Sequence, residues 1–492
     1  MNKVKCLLTR RELLKGSAAA GGLAALGAPV SLFGQESNGA AASGFSGLSD
    51  SFGNRLITPG QEAYESSRLV WNAMIDKHPA AIARCTGVAD VIEVINYARD
   101  NDMEISVRGG GHNVAGKALK DGAITIDLGP MHGVWVDPGR KRALAQGGVR
   151  WGGFDRETLA HGLATTGGAV PTTGIGGLSL GGGLGFLMRK HGLVCDNVLS
   201  ANVVTADGRH LVANDNENPD LYWAIRGGGG NFGVVTSFEY QLHDVEQITG
   251  GVAMYPRDTL KDLFHLYREF TASAPDDVTA IAGVMVGPPG SPLEGQSAGY
   301  LAVCHKGSAA DGERVLRPFK EFDPPSIDTI GPTNYATIQN MFATAGARGT
   351  RSYWRSNFVR ELSDGVIDTI IEHADEIPLP GSTFMIEHLG GAVGRVGENE
   401  TAFSNRGADF NVSTLGTWID AAEDDKNIAW TRAVGNKIRA FSTGGAYVNY
   451  MAGDESPENV KAAYEANFQR LVEVKRKYDP DNFFNANQNI AP

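Results

Sequence analysis

At 492 residues, 42% hydrophobic and 20% charged, the chain has an ordinary globular composition with room for two or three domains and a large buried core. A formal net charge of −12 argues against nucleic acid or another polyanion as partner. Four isolated cysteines form neither a zinc spacing nor a disulfide framework, and no HExxH pattern or paired histidine cluster suggests a catalytic metal.

The amino terminus carries Lys3 and Lys5, then Thr9-Arg10-Arg11-Glu12-Leu13-Leu14-Lys15, then a small-residue apolar run from 16 to about 32. This pattern is that of a twin-arginine export signal. A short amphipathic helix is the alternative, but the Gly- and Ala-rich run has no polar face to support one. Residues about 35 to 50, rich in Gly, Ala and Ser, read as a flexible stretch beyond the cleavage site. Removing the signal, with its five basic residues and one acid, makes the remainder more acidic; it also removes Cys6 and leaves Cys85, Cys195 and Cys304. The mature protein is then periplasmic or extracellular, with no membrane span.

From about residue 80 the pattern is strand, helix, strand: 81–84, 88–100 and 105–107. Within the helix Val91, Val94, Ile95 and Ala98 fall on one face. This unit delivers Arg108-Gly109-Gly110-Gly111-His112-Asn113. Successive glycines let backbone N–H groups converge on an anion such as a pyrophosphate, since no side chain blocks close approach. Residues 111–117 nearly spell a nucleotide-triphosphatase phosphate loop, but Ala118 stands where a Ser or Thr must bind magnesium and no amphipathic helix follows. On this segment alone His112 could equally be an ordinary turn histidine. Residues 123–128 then read as an alternating strand and 134–149 as further strands.

The 64 glycines are about 13% of the chain, against a usual ~7%. They are dense from 171 to 208, too closely spaced for a regular helix interior, and are read as a wall against which a flat ligand can lie. Gly228, Gly230 and Gly233 match the dinucleotide fingerprint by spacing, but Val234 to Tyr240 is a strand pattern where that fingerprint needs a helix.

Beyond about 250 the glycine density falls, and strands alternate with helices such as 257–273 and 309–322, as in a separate α+β domain that could cap a cofactor. Glu387 interrupts the apolar strand Phe384-Met385-Ile386. Facing inward, its carboxyl would be pushed toward a catalytically useful pKa by desolvation; facing outward, it is a solvated strand charge. His388, facing the opposite way, reads as structural.

Residues 108–112, 174–185, 192–197, Gly233-Val234-Val235-Thr236, Tyr447-Val448-Asn449-Tyr450 and the closing 478–490 segment together resemble the berberine bridge enzyme-like flavoproteins. These have the p-cresol methylhydroxylase (PCMH) type of FAD-binding fold, in the vanillyl alcohol oxidase superfamily. The resemblance covers nearly all of the mature chain, in order. It implies an α+β architecture: a signal and flexible segment (1–45), a two-part PCMH-type FAD-binding domain (55–250 and 441–492), and an inserted substrate domain (251–440) of antiparallel sheet backed by helices.

By the same resemblance His112 is bonded to the flavin 8α-methyl carbon. Around the cofactor it places Arg108, Gly109, Gly110, Gly111, Asn113 and Gly116; Thr173, Gly174, Gly177, Gly182 and Gly185; Gly192, Asp196 and Asn197; Val234 and Asn449; and the terminal Asn487 and Asn489. Many members add a second bond from a cysteine before Pro-Thr, but Val170 stands there and Cys195 belongs to another segment, which implies a single bond through His112. The departure resembles the bacterial hydroxynicotine oxidases and weakens the inference to oligosaccharide oxidation. Thr173 falls where the family has a small residue that gates oxygen, though threonine is also a common turn residue. An exported cofactor that is covalently held cannot be lost where it could not be replaced.

Hydride transfer to a flavin needs a base for the accompanying proton. In the family's alcohol and sugar oxidases a tyrosine of a Tyr-x-Asn-Tyr segment reaches the substrate hydroxyl, which makes Tyr447 the first candidate, with Glu387 second and Tyr450 in the same segment. A phenol has an unperturbed pKa of ~10, so such a base needs nearby positive charge, for which Arg355 is the expected source. Alternatively Tyr447 is a packed strand aromatic with a satisfied hydroxyl. Three functions follow: an exported FAD-dependent oxidase of a hydroxyl-bearing small molecule or sugar, passing electrons to O2 and forming H2O2; an oxidase of amines, heterocycles or secondary metabolites; or a non-catalytic flavin electron-transfer protein.

Overall fold

Among the described residues three larger sheets, of four, five and eight strands, follow one another along the chain beside one two-stranded sheet, and a returning carboxy-terminal segment packs back onto the first two. The computed structural model describes residues 44–245, 247–378 and 381–492; the twin-arginine signal and the apolar run behind it lie outside the described residues. Residues 46–50, read from sequence as flexible, instead belong to the helix Ser46–Phe52. Leu48 and Phe52, one turn apart, bury against Val91, Val94 and Ile95 of the helix Val88–Asp100, and this apolar contact orders the segment.

The first sheet runs Leu56–Ile57, Ala81–Arg84, Ile124–Asp127, Ile105–Arg108, with the last three strands mutually parallel. The helix Val88–Asp100 makes the crossover, and its buried residues are the four expected from the periodicity. The strand Ile124–Asp127 is buried on both faces, although its sequence alternates. Its polar members are absorbed by partners: Thr125 Oγ1 lies 3.0 Å from Ser106 Oγ, and Asp127 binds Arg108. Parallel strands end in a crevice at their carboxyl ends, and there the glycine turn begins.

A five-stranded antiparallel sheet follows, in the order Val134–Asp137, Arg142–Gln146, Val234–Gln241, Val198–Val204, His210–Ala213. Against the expectation from glycine spacing, residues Ile175–Leu180 form a short helix that includes Gly176 and Gly177. It is held by tertiary contact: a Cβ on Gly176 would stand 3.1 Å from the carbonyl of Gly147, so glycine lets the helix lie directly on a neighbouring backbone.

The largest sheet has eight strands, all antiparallel, with Ser297–Lys306, Val278–Val286, Thr383–His388, Phe410–Trp418 and Arg351–Val359 adjacent in that order. Helices Leu260–Ser273, Ala309–Glu321, Asp364–Glu372 and Asp424–Arg439 bury one face of it, with Phe384, Ile386 and Val412 among the packed residues. By strand alternation Thr383, Met385 and Glu387 face the other way.

The tail is anchored by a fully buried ion pair. Lys475 Nζ stands 2.6 Å from Asp479 Oδ2 and also donates to the carbonyls of Asn231 and Phe484, while Asp479 accepts from the N–H groups of Phe483 and Phe484. Among the described residues no helix is long and apolar enough to cross a membrane, no group of three or more His, Cys, Asp or Glu could hold a metal, and Cys85, Cys195 and Cys304 are free and buried.

Candidate active site

The strand Ile105–Arg108 ends in the glycine turn, and the geometry there explains each small residue. A Cβ on Gly110 would stand 2.3 Å from the backbone nitrogen of Gly174, so two backbones meet without side chains, and Gly111 has φ +67°. The backbone N–H groups of residues 109–113 find no acceptor among the described residues. The His112 ring stacks on Trp71 with centroids 4.5 Å apart, and its Nε2 lies 3.1 Å from Thr172 Oγ1. Burial, with Arg150 adding repulsion, pulls the imidazole down to about 4, so the ring is neutral at physiological pH.

This turn opens onto a cavity of about 880 Å³, large enough for a cofactor and a small substrate together. Of the expected cofactor residues, Gly109, Gly110, Gly111, His112, Asn113, Thr173, Gly174, Gly177, Gly185, Val234, Asn449 and Asn487 line it. Val170 also lines it, with a methyl surface where a cysteine would stand in many relatives; Cys195 does not.

The large sheet closes the cavity with Ile281, Tyr300, Met385, Glu387 and Leu415, joined by Trp354, Tyr447 and Tyr450. Glu387 faces inward. Its Oε2 accepts from Asn411 Nδ2 at 2.7 Å, Tyr450 donates to Oε1 at 3.4 Å, and burial pushes the carboxyl up to about 7. His388 turns away from the cavity and meets Arg189, with Nε2 3.0 Å from the guanidinium; burial and that charge hold it at about 3, a structural neutral histidine.

Tyr447 is fully buried, and its hydroxyl oxygen accepts from Gly183 N at 3.0 Å, Leu184 N at 3.3 Å and Asn449 Nδ2 at 2.8 Å. These donors favour a phenolate, but burial outweighs them and holds the hydroxyl well above the usual phenol range. The expected cation is absent: Arg355 is engaged by Glu455 and Asp454 and lies over the Tyr353 ring. The segment is also no strand, since Tyr447 precedes the short 3₁₀ turn Val448–Tyr450. Tyr450 packs edge-on against both Tyr447 and Trp354, with centroids 4.8 and 5.3 Å away.

Comparison with known proteins fits this arrangement. The FAD binding domain family matches residues 79–214 and the berberine and berberine-like family matches 446–491. The chain is 31% identical over 451 residues to (R)-6-hydroxynicotine oxidase of Paenarthrobacter nicotinovorans, covering 89% of this chain and 96% of that protein. The chain belongs to the berberine bridge enzyme-like FAD-linked oxidoreductases. Crystal structures agree. That of 6-hydroxy-D-nicotine oxidase from Arthrobacter nicotinovorans superposes with TM-score 0.78 at 29% identity, covering 89% of this chain and 97% of that one. The berberine bridge enzyme-like 1 protein of Physcomitrella patens superposes with TM-score 0.82 at 25% identity, covering 91% and 98%.

The residues of this oxidoreductase fit FAD. The unpaired N–H groups of residues 109–113 suit a pyrophosphate, the glycine wall leaves room for a flat ring, and the buried Oδ1 of Asn487, which lines the cavity, has no partner among the described residues. Several expected cofactor residues hold the frame instead. Arg108 is committed to Asp127, with Nε to Oδ1 3.1 Å and Nη2 to Oδ2 2.8 Å. Asp196 forms a two-point ion pair with the buried Arg406 at 2.7 and 2.8 Å. Asn197 ties His191 and Leu193 carbonyls to His243. Gly116, Gly182 and Gly192 supply positive-φ turns behind the wall, and Asn489 is likewise off the cavity surface.

Sequence reasoning missed other lining residues. Gly229, Asn231 and Gln488 border the cofactor side, and Trp71 and Trp354 link His112 to the substrate side. The Gly228-Gly230-Gly233 spacing carried a signal for the first group; the tryptophans gave none.

Proposed function

We propose that this oxidoreductase oxidises a small, largely apolar ring-bearing molecule at a carbon that carries a hydroxyl group. The observation that carries the reading is Glu387: a buried carboxylate on the cavity wall, poised near pH 7, with apolar and aromatic neighbours. Glu387 accepts the hydroxyl proton as the hydride leaves the same carbon, while Tyr450 and Asn411 hold its two oxygens. Tyr447 anchors the backbone of Gly183 and Leu184 and presents its ring to the cavity. Ile281, Tyr300, Met385, Leu415 and Trp354 give the substrate space a largely apolar wall, with Thr383, Thr417 and Tyr450 as polar members, which favours an apolar ring over a sugar.

Residues 55–250 and 441–492 hold FAD, and 251–440 supply the substrate wall. Bound FAD would accept the hydride and, with O2 as the final acceptor, yield H2O2. The neutral His112, stacked and oriented by Trp71 and Thr172, supports a covalent attachment, and Val170 limits it to one bond. Acid-precipitated protein then stays yellow, and His112→Ala releases its flavin. Arg10-Arg11 and the apolar run behind them support export by the twin-arginine route.

A second reading, oxidation of an amine, is favoured by the charges beside the substrate space. Glu387 in the cavity and Glu294 at its rim are both carboxylates, and the relative named above is a hydroxynicotine oxidase. Anaerobic bleaching of the flavin by benzylic alcohols, sugars and amines separates the two. Benzylic alcohols, whose hydroxyl-bearing carbon carries a hydrogen, should bleach the wild type, and Glu387→Gln should slow that step by at least ~100-fold. Bleaching by sugars alone rejects the apolar-ring substrate, and an undiminished rate in Glu387→Gln rejects the base.

A further inference from the structure

Asn411 is fully buried and stands directly across the sheet from Glu387, as its register partner in the adjacent strand. Its Nδ2 serves two acceptors, Glu387 Oε2 at 2.7 Å and Ser413 Oγ at 3.2 Å, while its Oδ1 is buried without a partner among the described residues. A one-ended arrangement of this kind suits an ionised carboxylate, which can only accept. When the carboxylate takes a proton on Oε1, the oxygen directed at the cavity, Oε2 is left as the carbonyl oxygen and still accepts from the same amide N–H, less strongly than when the group is ionised. The contact between Asn411 and Oε2 therefore persists through the proton transfer.

We propose that Asn411 is the positioning residue of the Glu387 carboxylate, holding Oε2 through its N–H both when the group is ionised and when Oε1 carries the proton. The proposal rests on the assignment of Glu387 as proton acceptor. Its function is to keep one oxygen fixed through the proton transfer, so that the other, Oε1, stays directed at the cavity.

The groups facing Glu387 leave this task to Asn411. From the helix Leu260–Ser273 comes Tyr267, whose hydroxyl is spent on the carbonyls of Ala280 and Ile386. From the strand Ser297–Lys306 comes Tyr300, and from the returning segment Tyr447 and Tyr450. The strand Val278–Val286 places Ile281 at its register position. His388 on Glu387's own strand is turned toward Arg189. None of the groups acting on the carboxyl is cationic, and of its two hydrogen bonds the one from Asn411 is the shorter.

The test is an infrared titration of the holoprotein without substrate, following the protonated-carboxyl band that Glu387→Gln removes. In Asn411→Leu the ionised form loses its closest donor, and the midpoint of that band should rise by about 1–2 pH units. Asn411→Ala reads the same midpoint if the leucine variant does not fold. The pH limb of anaerobic flavin reduction is measured in parallel. A midpoint and a limb that rise together support both Asn411 and the Glu387 assignment. A midpoint that rises while the limb stays fixed supports the clamp but removes Glu387 as the base. A midpoint unchanged in the folded variant overturns the proposal, whatever the limb does.

Discussion

Replacing Glu387 by Gln should make the protein more stable and less active, and the gain should depend on pH in a defined way. Burial raises the carboxyl from its ordinary 4.5 to about 7 in the folded protein. An acid whose folded pKa is raised binds more protons folded than unfolded between these values, so it costs stability progressively as pH rises through that window and in full above about 7. At about 1.4 kcal/mol per pH unit the full cost is about 3 kcal/mol. Glutamine keeps the local hydrogen bonds: its oxygen can accept from Asn411, and its nitrogen can donate to the Tyr450 hydroxyl. An unfolding entropy of about 2.1 cal/mol/K per residue over roughly 450 residues converts 1 kcal/mol into about 1 °C. Thermal melts of the holoprotein should therefore show Glu387→Gln about 3 °C above wild type at pH 8 and level with it at pH 4.5. An equal shift at both pH values, or a loss at pH 8, would falsify the placement of an unpaired, desolvated carboxylate at this position.

Asp155 offers a comparison outside the chemistry: it is fully buried, raised to about 7 by desolvation, and bound only by Gln339 Nε2 at 3.0 Å. Asp155→Asn should gain about 4 kcal/mol at pH 8 and nothing near pH 4, with turnover unchanged; a pH-independent melting difference rejects this. Lys475→Met strands the carboxylate of Asp479 and should cost about 3–5 kcal/mol, lowering both melting temperature and flavin content. A variant that melts like wild type with full flavin shows that the pair does not anchor the tail. Tyr447→Phe leaves the N–H groups of Gly183 and Leu184 without their acceptor, at a cost of at least about 2 kcal/mol. If this variant loses turnover at an unchanged melting temperature, the hydroxyl acts chemically and is not an anchor.

Local pattern made the strands and helices around the glycine turn legible, because Val91, Val94, Ile95 and Ala98 record a helix face in their own spacing. It failed where contacts between distant segments decide. The helix Ser46–Phe52 exists because Leu48 and Phe52 meet a second helix some forty residues on, a fact hidden among glycines and serines. Asp196 looked like a flavin residue by its segment, yet it is consumed by Arg406, 210 positions away. Arg355 was chemically suited to activate a tyrosine, but Glu455 and Asp454 claim its charge.

The two candidate bases show the same division. Alternation along the strand Thr383–His388 restricts Glu387 to one of two faces but cannot say which face is dry. That is settled by the four helices that cover Phe384 and Ile386, leaving Thr383, Met385 and Glu387 to the cavity. Once inside, Glu387 meets tyrosines and aliphatic side chains and no cation, so burial governs its proton affinity. The same burial acts in opposite directions on function for the two residues: it lifts a carboxylate toward neutral pH, where it can exchange a proton, and lifts the Tyr447 phenol away from it. Burial without positive charge therefore favours the carboxylate in the proposed role of base, although the tyrosine sits in the more recognisable motif.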